Sequence, residues 1–172
     1  KSIKSTIQDI RHHKETVKFL IARLVYNDAL ITIFAFGGIY AKEVFNFTFN
    51  EIFLFGIILN ITAGFGAFLF GFLDDFLGSK KTIQITNYGF IVASALAVVA
   101  GSIDSCLGLT GKNIFWFSGV LIGIFSGPNQ AASRSLMGKL TPVNKENEFF
   151  GFFAFSGKAT SFIGPLLFSL SV

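Results

Sequence analysis

Charge is scarce in this chain. Charged residues make up 14% of its 172 positions, against about 25% in an average soluble domain. Cysteine is nearly absent: the single Cys106 excludes an intramolecular disulfide and any cysteine-based metal cluster, and it says little of redox compartment. The two histidines, His12 and His13, are adjacent and point to different faces of a helix, which is too few ligands for a metal site; they read as solvated or headgroup-facing side chains. No nucleotide-binding loop follows a strand, and the serines of the apolar stretches have no histidine partner. Enzyme chemistry, a catalytic residue, a metal and a cofactor are therefore not expected. The N-terminus is polar and charged rather than a short apolar core, so no cleavable signal peptide is read.

Apolar residues fill the chain instead. They account for 52% of it, and the mean hydropathy is +0.64. Five stretches stand out: Phe19–Ala41, Ile52–Leu73, Ile83–Ile103, Ile114–Ser133 and Phe149–Val172. Each is about 20 residues, the length an α-helix needs to cross a hydrocarbon core of ~30 Å. In lipid a helix satisfies its own backbone hydrogen bonds, so such a bundle is viable where a soluble fold is not. The expected fold is all-α, a polytopic transmembrane helix bundle with five membrane-spanning helices over residues 19–172. Residues 1–18 form a separate element. Ile3, Ile7, Ile10 and Val17 recur at helical spacing among Lys4, Arg11 and Lys14, which reads as an amphipathic linker helix on the cytoplasmic membrane surface, with a solvated linker as the alternative.

Loop charge sets the expected topology. Lys1, Lys4, Arg11, Lys14 and Lys18 precede the first stretch, Lys80 and Lys81 follow the second, and Lys139 and Lys145 follow the fourth. The other loops carry Lys42 and Lys112. Nine basic residues thus stand on one side against two on the other, and the positive-inside rule puts the N-terminus in the cytoplasm. Cys106 then falls in a short non-cytoplasmic loop. The net charge of +4 needs no nucleic-acid partner, because its basic residues line one membrane face; membrane lipid is the expected partner.

One local motif has a mechanical reading. In Gly71-Phe72-Leu73-Asp74-Asp75-Phe76-Leu77-Gly78-Ser79-Lys80-Lys81, Gly71 permits close helix approach and Gly78 a sharp turn. Lys80 and Lys81 anchor to headgroups, and Asp75 can pair with a basic group, Arg134 at the end of the fourth stretch being the expected partner. The spacing of Gly71, Leu73, Asp75, Gly78, Lys80 and Lys81 resembles the loop signature of the major facilitator superfamily of secondary transporters; Ser79 departs from it, standing where a basic residue is common. Two further stretches resemble the vacuole-effluxer-like branch: Ala22-Arg23-Leu24-Val25-Tyr26-Asn27-Asp28-Ala29 running on to Gly38-Ile39-Tyr40-Ala41, and Gly127-Pro128-Asn129-Gln130-Ala131-Ala132-Ser133-Arg134-Ser135 with Pro142, Phe149-Phe150-Gly151-Phe152, Gly157-Lys158 and Gly164-Pro165. Ala29 stands where a Gly is expected. The resemblance implies five helices of a partial six-helix C-terminal half, with the N-terminal half and one further helix missing. It implies alternating access, amino-acid efflux, and a vacuolar or bacterial plasma membrane.

Polar groups within the stretches are the pathway candidates. A charged side chain at a helix centre costs roughly 2.5–3.5 kcal/mol on insertion scales, so it needs a partner or a function. Asp28 and Lys158 each lie about ten residues in from the cytoplasm, ~15 Å deep, and opposite signs at equal depth predict a pair. A structural pair and a pathway pair able to take a coupling proton are equally open. Tyr26 and Asn27 join the pathway set by the resemblance. Arg23, a turn inside, is expected to snorkel to the headgroups. Gly119, Gly123 and Gly127 form a stripe for close helix approach, Pro128 favours a kink, and Asn129 and Gln130 follow as candidates to hydrogen-bond a small-molecule solute or another helix. Ala63, Ala67 and Gly71 read as packing. The rival to a transporter is a non-transporting membrane scaffold that binds other helices through the glycine stripes.

Overall fold

The computed structural model describes residues 13–102, 110–143, 145–159 and 166, and the regular elements among them are all α-helical. They are α1 (Lys14–Phe45), α2 (Phe49–Leu77), α3 (Ser79–Ser102), α4 (Gly111–Leu140) and α5 (Glu146–Ser156). Helices α1, α2 and α3, of 32, 29 and 24 residues, are long and apolar enough to cross a membrane. At ~1.5 Å per residue they measure about 48, 44 and 36 Å, more than a ~30 Å core requires.

Five membrane-spanning helices were expected; among the described residues three meet that standard. Helix α4 has ample length, 30 residues, but its second half carries Asn129, Gln130, Ser133, Arg134 and Lys139, which break the apolar run. Helix α5 comprises 11 residues and turns at Gly157. Helix α1 begins at Lys14, so Lys14 and Lys18 sit on its first turns. Residues 1–12, with His12, lie outside the described residues, as do Cys106 and Gly164-Pro165.

Tight connections follow from local chemistry. Asn46 takes a positive φ of 53°, a conformation its short polar side chain tolerates. Thr48 then caps α2 in a reciprocal box: its hydroxyl accepts from the Glu51 amide at 3.3 Å, and its own amide donates to Glu51 Oε2 at 2.8 Å. A single residue, Gly78 at φ 84°, joins α2 to α3. Its N–H donates to Asp74 O at 3.0 Å, and its carbonyl accepts from the Lys81 and Thr82 amides at 3.1 and 3.2 Å. Gly78 thus makes the sharp turn expected of it, since an L side chain at that φ is strained.

The chain forms two compact units, Lys1–Phe36 with Ser135–Val172, and Gly37–Arg134. In the second, α2 and α4 meet along a seam of small residues. A Cβ added at Gly123 would lie 2.8 Å from Leu59 O, and one at Gly127 would lie 2.8 Å from Ala63 C and 3.1 Å from Ala67 Cβ. At Gly119 an added Cβ would overlap the Phe55 ring. The Gly119–Gly123–Gly127 stripe therefore faces α2, and Ala63 and Ala67 receive it. Gly71 departs from expectation: nothing lies within 4 Å of a Cβ built there. Its place in the seam is taken by Gly66, whose added Cβ would fall under 3.0 Å from the backbone of Ile124. Ile124 is four residues before Pro128, which has no N–H to bond its carbonyl; the freed oxygen is the atom that Gly66 backs onto.

The same unit closes at one end with stacked rings. Phe55 and Phe115 stack at 5.3 Å, Phe47 and Trp116 at 5.4 Å, and Phe47 meets Phe55 edge-on at 6.2 Å. Lys112 reaches over this cluster, 4.8 Å from the Phe47 ring and 2.5 Å from Glu51.

Candidate functional site

The first unit places a polar row of α1 against the end of α5. Arg23 and Asn27 are four residues apart, so they share one face of α1. Arg23 Nη1 donates to Phe153 O at 2.5 Å and to Ser156 Oγ at 2.9 Å, and its guanidinium lies 3.6 Å from the centroid of the Phe153 ring. Asn27 Nδ2 donates to Gly157 O at 2.7 Å. The last carbonyls of a helix carry the negative end of its dipole; Phe153 O, which already accepts from the Gly157 N–H at 3.2 Å, takes Arg23 as a second donor, and Gly157 O takes the Asn27 amide. A Cβ at Gly157 would lie 2.8 Å from Arg23 Nη1, so the glycine is what lets the guanidinium approach. The snorkelling expected of Arg23 is thus overturned: α5 ends within its reach, and the charge turns inward to that end. Phe19 stacks on Phe153 at 6.3 Å and His13 meets Phe149 edge-on at 5.6 Å, which holds the two helices in register.

Asp28 stands beside this row. Its Oδ1 is buried with no hydrogen-bond partner, while its backbone carbonyl accepts from Thr32 Oγ1 at 2.8 Å. The expected pair with Lys158 does not appear among the described contacts. Helix α5 ends at Ser156, two residues before Lys158, and the Lys158 side chain is exposed. The Lys158 side chain faces outward while the Asp28 oxygen is buried, so equal depth along the sequence did not bring the two onto one face. Tyr26 is half-buried on α1.

In the second unit Asn129 is fully buried, and its Nδ2 donates to Thr86 Oγ1 and to Asn87 Oδ1 on α3, both at 2.9 Å. Its Oδ1 has no partner. Asn129 joins α4 to α3 beside Gly89, where an added Cβ would lie 2.5 Å from the Phe125 ring. Gln130, one residue and ~100° further round the helix, is exposed. The two candidates thus part company: one locks helices together and the other faces outward.

At the α2–α3 turn Asp75, Lys80 and Lys81 are exposed, as is Arg134. The expected Asp75–Arg134 pair is absent among the described contacts. The carboxylate that turns inward is Asp74, whose Oδ1 is buried without a partner. One residue of helix rotates a side chain by ~100°, which is enough to exchange the two roles.

Arg23 as a helix cap, the Thr86–Asn87 pair and Asp74 were not read from sequence. The i, i+4 spacing of Arg23 and Asn27 was the available signal for the first; α5's early end was not visible.

The family sequence model described as "Vacuole effluxer Atg22 like" matches residues 1–172. Autophagy-related protein 22 of Cryptococcus neoformans var. neoformans serotype D (strain B-3501A) is 28% identical over 154 residues, covering 86% of this chain and 28% of that protein. Autophagy-related protein 22 of Saccharomyces cerevisiae (strain ATCC 204508 / S288c) is 26% identical over 174 residues, covering 98% of this chain and 32% of that protein. The uncharacterized MFS-type transporter YxiO of Bacillus subtilis (strain 168) is 26% identical over 171 residues, covering 99% of this chain and 38% of that protein. The chain therefore spans between 28% and 38% of the length of these three relatives. No solved structure matches. With the whole of its length matched, the chain belongs to the Atg22-like vacuole effluxer family.

Proposed function

We propose that this chain is part of a secondary active transporter that moves a small solute by alternating access, with amino-acid efflux as the activity. The observation that carries the reading is where the small-residue stripe goes. A scaffold that binds other helices through Gly119, Gly123 and Gly127 needs that stripe open, and α2 already fills it. What remains unusual is polar: Arg23, Asn27 and Asp28 within an apolar α1, the first two holding the interrupted end of α5. Helix ends and polar groups held inside an apolar bundle are the materials of solute and ion sites in transporters. The names of the family and of the relatives support transport in the same direction.

The site residues under this reading are Tyr26, Asn27, Asp28 and Lys158, with Gly71, Asp75, Gly78, Lys80, Lys81 and Arg134 biasing the conformational equilibrium. The N-terminus is cytoplasmic, and the membrane is vacuolar, or the plasma membrane in a bacterium. An N-terminal transporter half completes the pathway. The test is a flux panel: the natural protein that carries these residues, reconstituted in liposomes, offered each of the common amino acids in radiolabelled form. Saturable flux of at least one of them is expected. No flux above empty liposomes for any of them sinks the amino-acid reading.

A further inference from the structure

We infer that Arg23 binds the carboxylate of the transported solute and in doing so lets go of the end of α5, an inference that rests on the transport reading above. Arg23 lies nine residues into α1 from Lys14, ~14 Å along the helix axis. At that depth in an apolar span a guanidinium is costly, and a full negative charge is its best partner. The acceptors described for it are neutral: Phe153 O at 2.5 Å, Ser156 Oγ at 2.9 Å and the face of the Phe153 ring, whose centroid is 3.6 Å away. Arg23 is half-buried, so it is not sealed into the bundle.

The hold on Phe153 O is one that α5 can lose. A carbonyl oxygen has two lone pairs, and this one has three donors: the Gly157 N–H at 3.2 Å, the Ser156 hydroxyl at 2.9 Å and Arg23 Nη1. When Arg23 leaves, the other two fill both lone pairs, so no buried acceptor is orphaned. Ser156 Oγ keeps its own bond as a donor to Phe153 O. What α5 loses is the charge-assisted tie to α1, and Asn27, at 2.7 Å from Gly157 O, is then the donor that holds its end.

The chemistry of the occupant follows from the donor. Arg23 brings a positive charge and a planar fork that meets two coplanar oxygens at once. A Cβ at Gly157 would lie 2.8 Å from Nη1 and 3.0 Å from Nη2, so the glycine keeps that edge of the fork uncrowded. The competitor for the fork is the C-terminal end of α5, which carries about half a negative charge. A carboxylate carries a whole one, and its bonds to a guanidinium are about twice as strong as those between neutral groups. A solute without a carboxylate cannot displace α5 from Arg23. Recognition of the solute and release of the helix are therefore one event, which is the differential contact between states that alternating access requires.

The test is hydrogen exchange of the natural protein in lipid nanodiscs, read at residues 153–159. Two mixtures serve as probes: the neutral amino acids, and the same compounds as carboxamides. The amino acids should quicken exchange about tenfold, as loss of a charge-assisted hydrogen bond predicts, and the carboxamides should leave it unchanged. Equal responses to the two mixtures, or no response to the amino acids, overturn the inference. In Arg23→Lys the amino acids should quicken exchange no further. A wild-type response retained in that variant overturns the inference, and if the variant does not fold, the two mixtures on the wild type decide alone. Flux of the same mixtures into liposomes separates the two readings. Amino-acid flux without an exchange response overturns the inference and leaves transport standing. An exchange response confined to the amino acids, without flux, upholds the Arg23 site and counts against the transport reading.

Discussion

A single methyl group added at Gly66 should separate two helices, and the same methyl at Gly71 should not. An alanine Cβ at Gly66 would sit 2.7 Å from Ile124 C and 2.9 Å from Ile124 Cα, and closer still to the carbonyl oxygen. Ordinary contact begins near 3.4 Å. Both partners are backbone, so no rotamer change can absorb the overlap, and α2 must move off α4. That movement also opens the contacts of Gly123 with Leu59 O and of Gly127 with Ala63. Overpacking costs about 1–3 kcal/mol in ordinary cores, and a rigid seam belongs at the upper end, about 3 kcal/mol, or a hundredfold in a folding equilibrium. At Gly71 nothing lies within 4 Å, so alanine there gains helix propensity, about 0.5–1 kcal/mol relative to glycine. The two variants should therefore move in opposite directions. Thermal unfolding in lipid nanodiscs, followed by intrinsic fluorescence and size-exclusion recovery, measures this. Equal melting of Gly66→Ala and Gly71→Ala would refute the seam as the element that sets the α2–α4 distance.

Arg23→Lys keeps the charge but loses the fork and the stacking on Phe153; charge-assisted hydrogen bonds contribute about 1.5–3 kcal/mol, so hydrogen exchange at residues 153–159 should quicken at least tenfold, and unchanged exchange would deny the cap. Asn129→Ala leaves Asn87 Oδ1 without its buried donor and should cost about 1–3 kcal/mol, whereas Gln130→Ala, on an exposed position, should stay within about 0.5 kcal/mol; equal melting temperatures would contradict the α3–α4 lock. Thr48→Ala removes the cap of α2 and should cost about 1 kcal/mol, read as a lower melting temperature that Thr48→Ser restores. Cys106 should react with a membrane-impermeant maleimide from the non-cytoplasmic side, and labelling only after the cytoplasmic face is opened would reverse the topology drawn from loop charge.

The primary sequence by itself determined the helices and the seam's chemistry. Long apolar runs between polar breaks leave the backbone no other way to satisfy its hydrogen bonds in lipid, so α1, α2 and α3 were legible, as was the turn at Gly78, which needs a residue that tolerates positive φ. The spacing of Gly119, Gly123 and Gly127 marked one side of a close contact because i, i+4 periodicity is local. The partner of that contact was not local. That Gly66 rather than Gly71 receives α4 depends on how α2 is rotated, and a rotation of ~100° per residue exchanges neighbours such as Asp74 and Asp75 between inside and outside without changing any pattern. The same applies to charge. Equal depth predicted a pair between Asp28 and Lys158, but depth along the sequence does not fix a face: the Lys158 side chain faces outward while the Asp28 oxygen is buried, and α5 stops at Ser156. Only the tertiary structure decided that Arg23 and Asn27 take the carbonyls at that stop, because a helix end becomes an attractive partner only once another helix brings a donor to it, and that leaves the Asp28 carboxylate without a hydrogen bond to its buried oxygen.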